Sequence, residues 1–151
     1  MAATLKVYYW PMLARGAPLV RMLEHTGTPY EYISEAPKMG EVGSFRAGAG
    51  DVFAPPIVVD GDFVLSQSVA TAMYIGKKCD LTPPGFQEFK AVQYMLDIVD
   101  VFENGFGKNN EQGPTLKKYL EGERWPKLMG NLERGIQGPF YFGAEVQCTR
   151  A

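Results

Sequence analysis

The sequence is poor in the residues that build metal sites and disulfide frameworks. Its 151 residues include one histidine, His25, and two cysteines, Cys79 and Cys148. Two cysteines are too few for a disulfide scaffold and are typical of a reducing compartment, so we expect a cytoplasmic location. Because cysteine and histidine do not cluster in the sequence, we expect no bound metal.

The chain also lacks an excess of charge and a long apolar run. Lys and Arg number 15 against 17 Asp and Glu, a balance that argues against binding nucleic acid by bulk charge. No apolar run approaches the ~20 residues that cross a bilayer, and MAATLKVYYW has no apolar signal core. With 46% hydrophobic residues, the composition is that of a packed domain rather than a disordered chain. We therefore expect neither a membrane nor a nucleic acid as partner.

The first residues carry the pattern of a small α/β domain. Leu5 to Trp10 are rich in β-formers and predict a strand. Ala14 to His25 have near-helical apolar spacing, and Gly27, with Pro29 beyond it, predicts the end of that helix. Tyr30 to Ile33 predict a second strand, which the right-handed crossover rule places parallel to the first.

A hairpin and a helix should follow. The apolar runs Ile57 to Val59 and Phe63 to Leu65 flank Asp60-Gly61, a strong hairpin signal. Ser66-Gln67-Ser68 precedes the helical run VATAMYIGKK, so one of the two serines is predicted as its N-cap. The order β-α-β then β-β-α is the thioredoxin-like layout, assigned here to residues 1–80.

Beyond this domain the pattern becomes helical only. Pro83-Pro84-Gly85 is a linker-like turn cluster. Apolar residues from Phe86 to about Phe106 predict a long helix, and Pro114 to Leu132 predict another. We therefore expect a second, all-α domain over residues 86–151.

Three motifs follow one another in the α/β half. They are VYYWP at 7–11 with RG at 15–16, FAPPI at 53–57, and LSQS at 65–68. Together they resemble the cytosolic glutathione transferases, in which a tyrosine ends the first strand, a cis proline precedes the third, and a Gln-Ser or Glu-Ser pair starts the next helix. The resemblance implies glutathione as co-substrate. Because the motifs contain a tyrosine and a Gln-Ser pair, the sequence is most similar to the tyrosine-type classes such as sigma, mu and pi.

Tyr9 is the catalytic candidate that the resemblance implies. A thiol has a pKa of about 8.5, so a transferase must stabilise the thiolate that acts as nucleophile. A fixed hydroxyl that donates to the sulfur favours the anion. Tyr8 should point to the opposite side of the strand, so only one of the two can serve. The alternative is that Tyr9 only packs in a half-buried strand.

Gln67 and Ser68 are the candidates for the γ-glutamyl end of glutathione. Ser68, at a helix start, can offer a hydroxyl and a backbone N–H to a carboxylate, which the helix dipole also favours. The resemblance implies this role for Ser68 and a contact of Gln67 with the same part of the peptide. An ordinary helix cap is the alternative, and the two roles are compatible.

Pro55 and Pro56 are the candidates for the cysteinyl unit. The resemblance implies a cis bond before Pro56 and strand-like pairing of the preceding backbone with glutathione. Pro55 departs from the family pattern because it has no N–H, so one of the two expected backbone bonds cannot form. Either Ala54 compensates or the affinity for glutathione falls, and the Pro55 carbonyl remains available.

The basic candidates are less specific. The resemblance implies a basic or aromatic side chain for the glycyl carboxylate, and Lys38, Phe45 and Arg46 are local choices that spacing does not separate. It also implies that Arg15 shapes the field around the tyrosine and the sulfur. Solvated surface charge is the alternative for each basic residue.

The helical half departs from the family in length. In the family the helical domain continues through several more helices, so that the whole protein has roughly 200 residues or more. We therefore expect a truncated helical domain whose apolar faces are partly uncovered. The resemblance also implies a homodimer, with an acid such as Asp97 or Asp100 crossing to the partner. A solvated helix face is the alternative for these acids.

Two functions therefore compete. The first is a glutathione transferase that joins the thiolate to a small electrophile, or a glutathione-dependent isomerase that uses the same site. The second is a non-catalytic binding or assembly module built on the transferase fold. A dithiol oxidoreductase is not expected, because no cysteine follows the first strand.

Overall fold

In the computed structural model of the chain, four short strands form one sheet in the first half. They are β1 (Leu5–Tyr8), β2 (Tyr30–Ile33), β3 (Ile57–Asp60) and β4 (Phe63–Ser66), in the order β2-β1-β3-β4. β1 is parallel to β2 and antiparallel to β3, which is antiparallel to β4. The structure describes residues 4–35, 38–42, 52–106, 113–136, 138 and 141–142. They fall into two compact units, Met1–Leu81 and Thr82–Ala151.

Helix α1 (Ala17–Thr26) connects the parallel strands. It begins three residues later than predicted because Pro18 lies in its first turn, where a missing N–H costs nothing. In a helix starting at Ala14, Pro18 would have to donate to the Ala14 carbonyl. Gly27 ends α1 with φ of 65°, and its N–H donates back to the last turn, which confirms the predicted glycine cap.

Helix α2 (Ser68–Lys78) follows the hairpin. Asp60 pairs with Phe63, so the loop residues are Gly61 and Asp62, one position later than predicted. Gly61 has φ of 61°, which glycine adopts without steric cost.

The prediction of a serine N-cap on α2 is wrong. Ser66 is still paired with Ile57 in the sheet, and Ser68 is already helical. The N-cap is Gln67, whose side chain makes no capping hydrogen bond.

The sheet separates two apolar clusters because successive strand residues point to opposite faces. The cluster that includes the helices contains Leu5, Val7, Leu19, Leu23, Val58, Ile75 and Cys79. The cluster on the other face contains Tyr8, Ile33, Met39, Val42, Val52 and Ile57. With a β-α-β unit, a hairpin and a closing helix, the first unit has the thioredoxin-like layout that the sequence predicts.

The second unit is helical in its described residues. Its elements are α3 (Gln87–Val101), a π-helical turn (Phe102–Phe106), α4 (Gly113–Glu121) and α5 (Arg124–Gly135). The single helix predicted from Pro114 to Leu132 is therefore wrong. Pro126 cannot donate to the Gly122 carbonyl, so the chain breaks there and restarts with the proline in the first turn of α5.

Helices α3 and α5 pack through a tyrosine and a glycine. A Cβ on Gly135 would lie 2.7 Å from Cε1 of Tyr94, so only a hydrogen fits there. Asn131 donates to Asp97 at 3.1 Å, and Arg124 lies 3.7 Å from Asp100. Both acids thus have partners within this chain.

None of the helices in the described ranges combines the length and apolar character needed to cross a membrane.

A charged cluster ties α2 to the loop end of the hairpin. Lys78 Nζ lies 2.6 Å from Oδ2 of Asp60, and the Tyr74 hydroxyl donates to the same oxygen. The Tyr74 ring also packs on Phe63, with centroids 5.0 Å apart. Lys78 first, and then Tyr74, hold the pKa of Asp60 below its usual value.

This cluster predicts an acid-dependent stability. The pKa of Asp60 is lower in the folded chain than in the unfolded chain. The stabilisation that its carboxylate contributes is therefore present above the unfolded pKa of about 3.9 and is lost as pH falls through the folded pKa. We expect Asp60→Asn to lower the free energy of unfolding at neutral pH by about 0.5–1.5 kcal/mol, and by less in acid. Urea unfolding across pH measures this, and a difference that stays constant down to about pH 2 would contradict it.

Candidate functional site

The strand register brings three segments to one end of the sheet. Ile33, Tyr8, Ile57 and Ser66 form a single row across the four strands. Because β3 runs antiparallel to both of its neighbours, the last residue of β1, the first residue of β3 and the last residue of β4 lie at this end of the sheet. The next residues outward are Tyr9, Pro56 and Gln67, so candidates from all three motifs lie at one end of the sheet.

Tyr9 is held on both sides. Its N–H donates to the Ile33 carbonyl at 3.1 Å, and its hydroxyl accepts from the Arg15 N–H at 3.1 Å. Its ring lies against Gly16, where a Cβ would come within 2.4 Å of Cγ of Tyr9. The side chain is only 5% exposed. A hydroxyl has one hydrogen to donate, and among the described residues nothing accepts it from Tyr9.

Tyr8 occupies the opposite face, as the alternation along a strand predicts. Its side chain is buried among Ile33, Met39 and Ile57, and its hydroxyl donates to Oε2 of Glu41 at 2.6 Å. Burial is the main reason that the pKa of Tyr8 lies well above its usual value, and the hydrogen bond to Glu41 raises it further. This phenol therefore stays protonated and bonded, which makes Tyr8 structural. Sequence reasoning did not identify Glu41, because its partner lies 33 residues away.

The start of α2 carries a strained residue. Gln67 has φ of 76° and ψ of 126°, which a residue with a Cβ adopts at a cost of about 1–3 kcal/mol. Its carbonyl accepts from both the N–H and the hydroxyl of Thr71, each at 2.9 Å. Thr71 is fully buried and so fixes this turn from inside. Spacing alone gave no signal for it.

Ser68 is the first helical residue of α2. Since the Gln67 side chain does not cap the helix, the first N–H groups are left to water or to a ligand. Together with the helix dipole, they form a suitable place for a carboxylate.

The bond between Pro55 and Pro56 is cis, as the resemblance implies. Pro56 is fully buried, and Ile57 directly after it pairs with both Tyr8 and Ser66. Pro55 lies just outside this row and can offer only its carbonyl.

The structure places one basic candidate beside Tyr9 and pairs another with an acidic side chain. Arg15 lies beside Tyr9 through its backbone N–H. Lys38, in the short 3-10 helix Lys38–Gly40, pairs with Oε1 of Glu31 at 3.0 Å, and this carboxylate raises the pKa of Lys38. Arg46 and Phe45 lie outside the described residues.

The described part of the chain shows no group of three or more His, Cys, Asp or Glu side chains that could hold a metal. Cys79 is buried at the C-terminal end of α2, the opposite end from Ser68. Cys148 lies outside the described residues.

The contact between Tyr9 and Gly16 can be tested by adding one methyl group. We expect Gly16→Ala to displace the Tyr9 ring, since the new Cβ would lie 2.4 Å from Cγ, and to cost about 1–3 kcal/mol of unfolding free energy. Gly40→Ala is the control, because a Cβ there meets nothing within 4 Å. Urea unfolding of both variants measures the costs, and equal costs would show that the contact is loose.

The chain is similar in sequence and in fold to known proteins. No protein-family model matches the sequence. Over 128 residues the chain is 30% identical to a Dictyostelium discoideum protein named as a glutathione S-transferase alpha-2. The match covers 83% of this chain and 59% of the relative, so the chain spans less than two thirds of that protein's length.

Solved structures share the fold. The rat protein hPGDS complexed with a quinoline has a TM-score of 0.73 at 17% identity, over 96% of this chain and 74% of the other. A nematode-specific glutathione transferase of C. elegans has a TM-score of 0.71 at 15% identity, over 89% and 68%. Prostaglandin synthase D of Nilaparvata lugens has 0.64 at 22%, over 88% and 68%. At these identities the likeness concerns the fold.

The motifs meet at one end of a thioredoxin-like sheet, a helical unit follows, and the sequence relative and one of these structural neighbours are named as glutathione transferases. In sequence the chain is similar to a protein named as a glutathione transferase, and in fold it is similar to solved glutathione transferase structures.

Proposed function

We propose that this chain binds glutathione and transfers its thiolate to a small electrophile. The observation that carries the proposal is that the Tyr9 hydroxyl accepts from the Arg15 N–H at 3.1 Å, which leaves its own hydrogen to be donated. By the register of the strands, Tyr9 follows β1 at the same end of the sheet as Pro55 and Ser68. A donor at this place is what a thiol needs to lose its proton near neutral pH.

The chemistry follows from the two hydrogen bonds of this hydroxyl. The Arg15 N–H polarises the phenol, and hydrogen bonds in a chain strengthen one another. The polarised O–H then donates to the glutathione sulfur and stabilises the thiolate. In a substitution the sulfur forms a bond to carbon while the leaving group departs with its electron pair. In an addition the neighbouring atom takes up a proton.

The remaining candidates would position the tripeptide. Ser68 and the open N–H groups of α2 suit the γ-glutamyl carboxylate, and Gln67 lies beside them. The Pro55 carbonyl can accept a hydrogen bond from the cysteinyl N–H, but Pro55 has no N–H to donate to the cysteinyl carbonyl. We expect glutathione to bind less tightly here than it would with a backbone N–H at this position. Arg15, Lys38 and Arg46 remain the basic candidates for the field at the sulfur and for the glycyl carboxylate.

Two related activities share this site. One structural neighbour is named as a prostaglandin synthase. A glutathione-dependent isomerase is therefore the nearest variant of the proposal. It would use the same thiolate, with the substrate leaving as its own isomer. A cytoplasmic location, a role in detoxification and a homodimer complete the proposal, which the family resemblance supports.

One observation favours a non-catalytic assembly module as the second candidate. Phe86 and Phe89, at the start of α3, are 90% and 69% exposed, and their rings stack at 6.4 Å. Leu96 further along α3 is also exposed. Large apolar side chains exposed in this way are typical of a surface that another protein covers.

Retention on immobilised glutathione separates the two candidates. The transferase proposal predicts that the chain is retained and is eluted by free glutathione. A chain that passes through unretained contradicts that proposal and favours the assembly module.

Replacing Tyr9 tests the catalytic assignment. We expect Tyr9→Phe to lower turnover of a chloro-nitroaromatic substrate by about 10- to 100-fold, because it removes one hydrogen bond to an anion, with little change in glutathione affinity. Tyr74→Phe is the control, since its hydroxyl bonds Asp60 at the other end of the sheet. Unchanged turnover in Tyr9→Phe would remove Tyr9 from the mechanism.

Thr71 gives a test of the glutathione-binding turn. Thr71→Val keeps the shape but removes the hydroxyl that bonds the Gln67 carbonyl, so we expect weaker glutathione binding by about 2- to 10-fold. Thr71→Ser keeps the hydroxyl and should bind as the unmodified chain does. Titration calorimetry measures both, and equal weakening in the two variants would assign the effect to packing instead.

A further inference from the structure

The loop between β1 and α1 decides where the Arg15 N–H lies. Its internal bonds span only two residues: Met12 N–H donates to the Trp10 carbonyl at 2.7 Å, and Ala14 N–H to the Met12 carbonyl at 3.0 Å. Such three-residue turns give a loop little support of their own. Leu13, at its tip, is 88% exposed and adds no burial to hold the loop in place.

A tyrosine on the neighbouring strand supplies a longer-range contact. The Tyr32 hydroxyl donates to the Trp10 carbonyl at 3.0 Å, across 22 residues of sequence. Tyr32 lies on β2, the edge strand, in register with Val7. Alternation along β1 places Tyr9 on the same face as Val7, so Tyr32 and Tyr9 lie on one side of the sheet.

The phenol of Tyr32 is suited to remain a donor. Burial first, and then the nearby Tyr9, raise its pKa above the ordinary value. It therefore keeps its proton throughout the neutral range, and the bond to the Trp10 carbonyl does not titrate there.

We propose that Tyr32 is a positioning residue that clamps the loop through the Trp10 carbonyl and so holds the Arg15 N–H against the Tyr9 hydroxyl. The geometry is a relay: the edge strand fixes the start of the loop, the loop fixes Arg15, and Arg15 orients the hydroxyl of Tyr9. Its consequence for a bound thiol rests on the proposed function. Tyr32 itself touches no reacting atom.

The test compares two variants that each lose one hydroxyl from the same strand. Tyr32→Phe removes the clamp and leaves the ring. Tyr30→Phe is the matched control, because the Tyr30 hydroxyl donates to Glu24 on α1 rather than to the loop. For both variants and the unmodified chain, backbone amide exchange of residues 10–16 is followed by mass spectrometry. The thiol pKa of bound glutathione is read from the ultraviolet absorbance of the thiolate.

We expect Tyr32→Phe to speed exchange in residues 10–16 and to raise the thiol pKa of bound glutathione. At neutral pH the value of kcat/KM should fall by about 2- to 10-fold, the worth of one hydrogen bond, and the deficit should narrow as pH rises. Tyr30→Phe should leave the loop exchange and the thiol pKa unchanged. A variant that merely contained less folded protein would lower activity equally at every pH.

Each other outcome overturns a defined part. Unchanged loop exchange in Tyr32→Phe, or equal effects in the two variants, overturns the clamp. Faster exchange with an unchanged thiol pKa overturns the relay from the loop to Tyr9. If the unmodified chain binds no glutathione, the proposed function fails and the effect on the thiol fails with it, while the exchange measurement still decides whether Tyr32 holds the loop.

Discussion

The register of β3 between β1 and β4 is the constraint on which the rest of the structure depends. Ile57 pairs with Tyr8 on one side and Ser66 on the other, and this row sets which residues emerge at the edge of the sheet. A slip of one residue would turn every side chain of β3 to the wrong face. It would also separate Pro56 from Tyr9 and Gln67. The site is thus a consequence of the core, because the apolar residues that fix the register also bring the three motifs together.

The same alternation gives neighbouring tyrosines different chemistry. Tyr8 points into the cluster opposite the helices and donates to Glu41, so its proton is already engaged. Tyr9 points to the helical side and accepts from the Arg15 N–H, so its proton is left to donate. One residue of displacement along a strand therefore separates a structural phenol from a candidate catalytic one. Gly16 completes the arrangement because it leaves room for the Tyr9 ring.

Local patterns predicted much of this, and what they missed depends on prolines within the helical patterns and on hydrogen bonds made by single side chains. The parallel pair, the hairpin and the cap at Gly27 follow from periodicity and glycine chemistry, and the cis bond before Pro56 follows from the resemblance. The start of α1 and the break before α5 depend on Pro18 and Pro126, whose missing N–H outweighs an apolar period. Glu41 and Tyr32 act through hydrogen bonds to residues 33 and 22 positions away, which no spacing in the sequence marks, whereas Thr71 bonds a carbonyl only four residues before it. Arg46 lies outside the described residues, so its role stays a prediction.

A structure of the chain with bound glutathione is the most direct test that the three motifs form one site. The account predicts that the sulfur lies within hydrogen-bond distance of the Tyr9 hydroxyl. It also predicts that the γ-glutamyl carboxylate lies at Ser68 on the start of α2 and that the Pro55 carbonyl accepts from the cysteinyl N–H. Glutathione bound with its sulfur away from Tyr9, or with its carboxylate away from the start of α2, would contradict it.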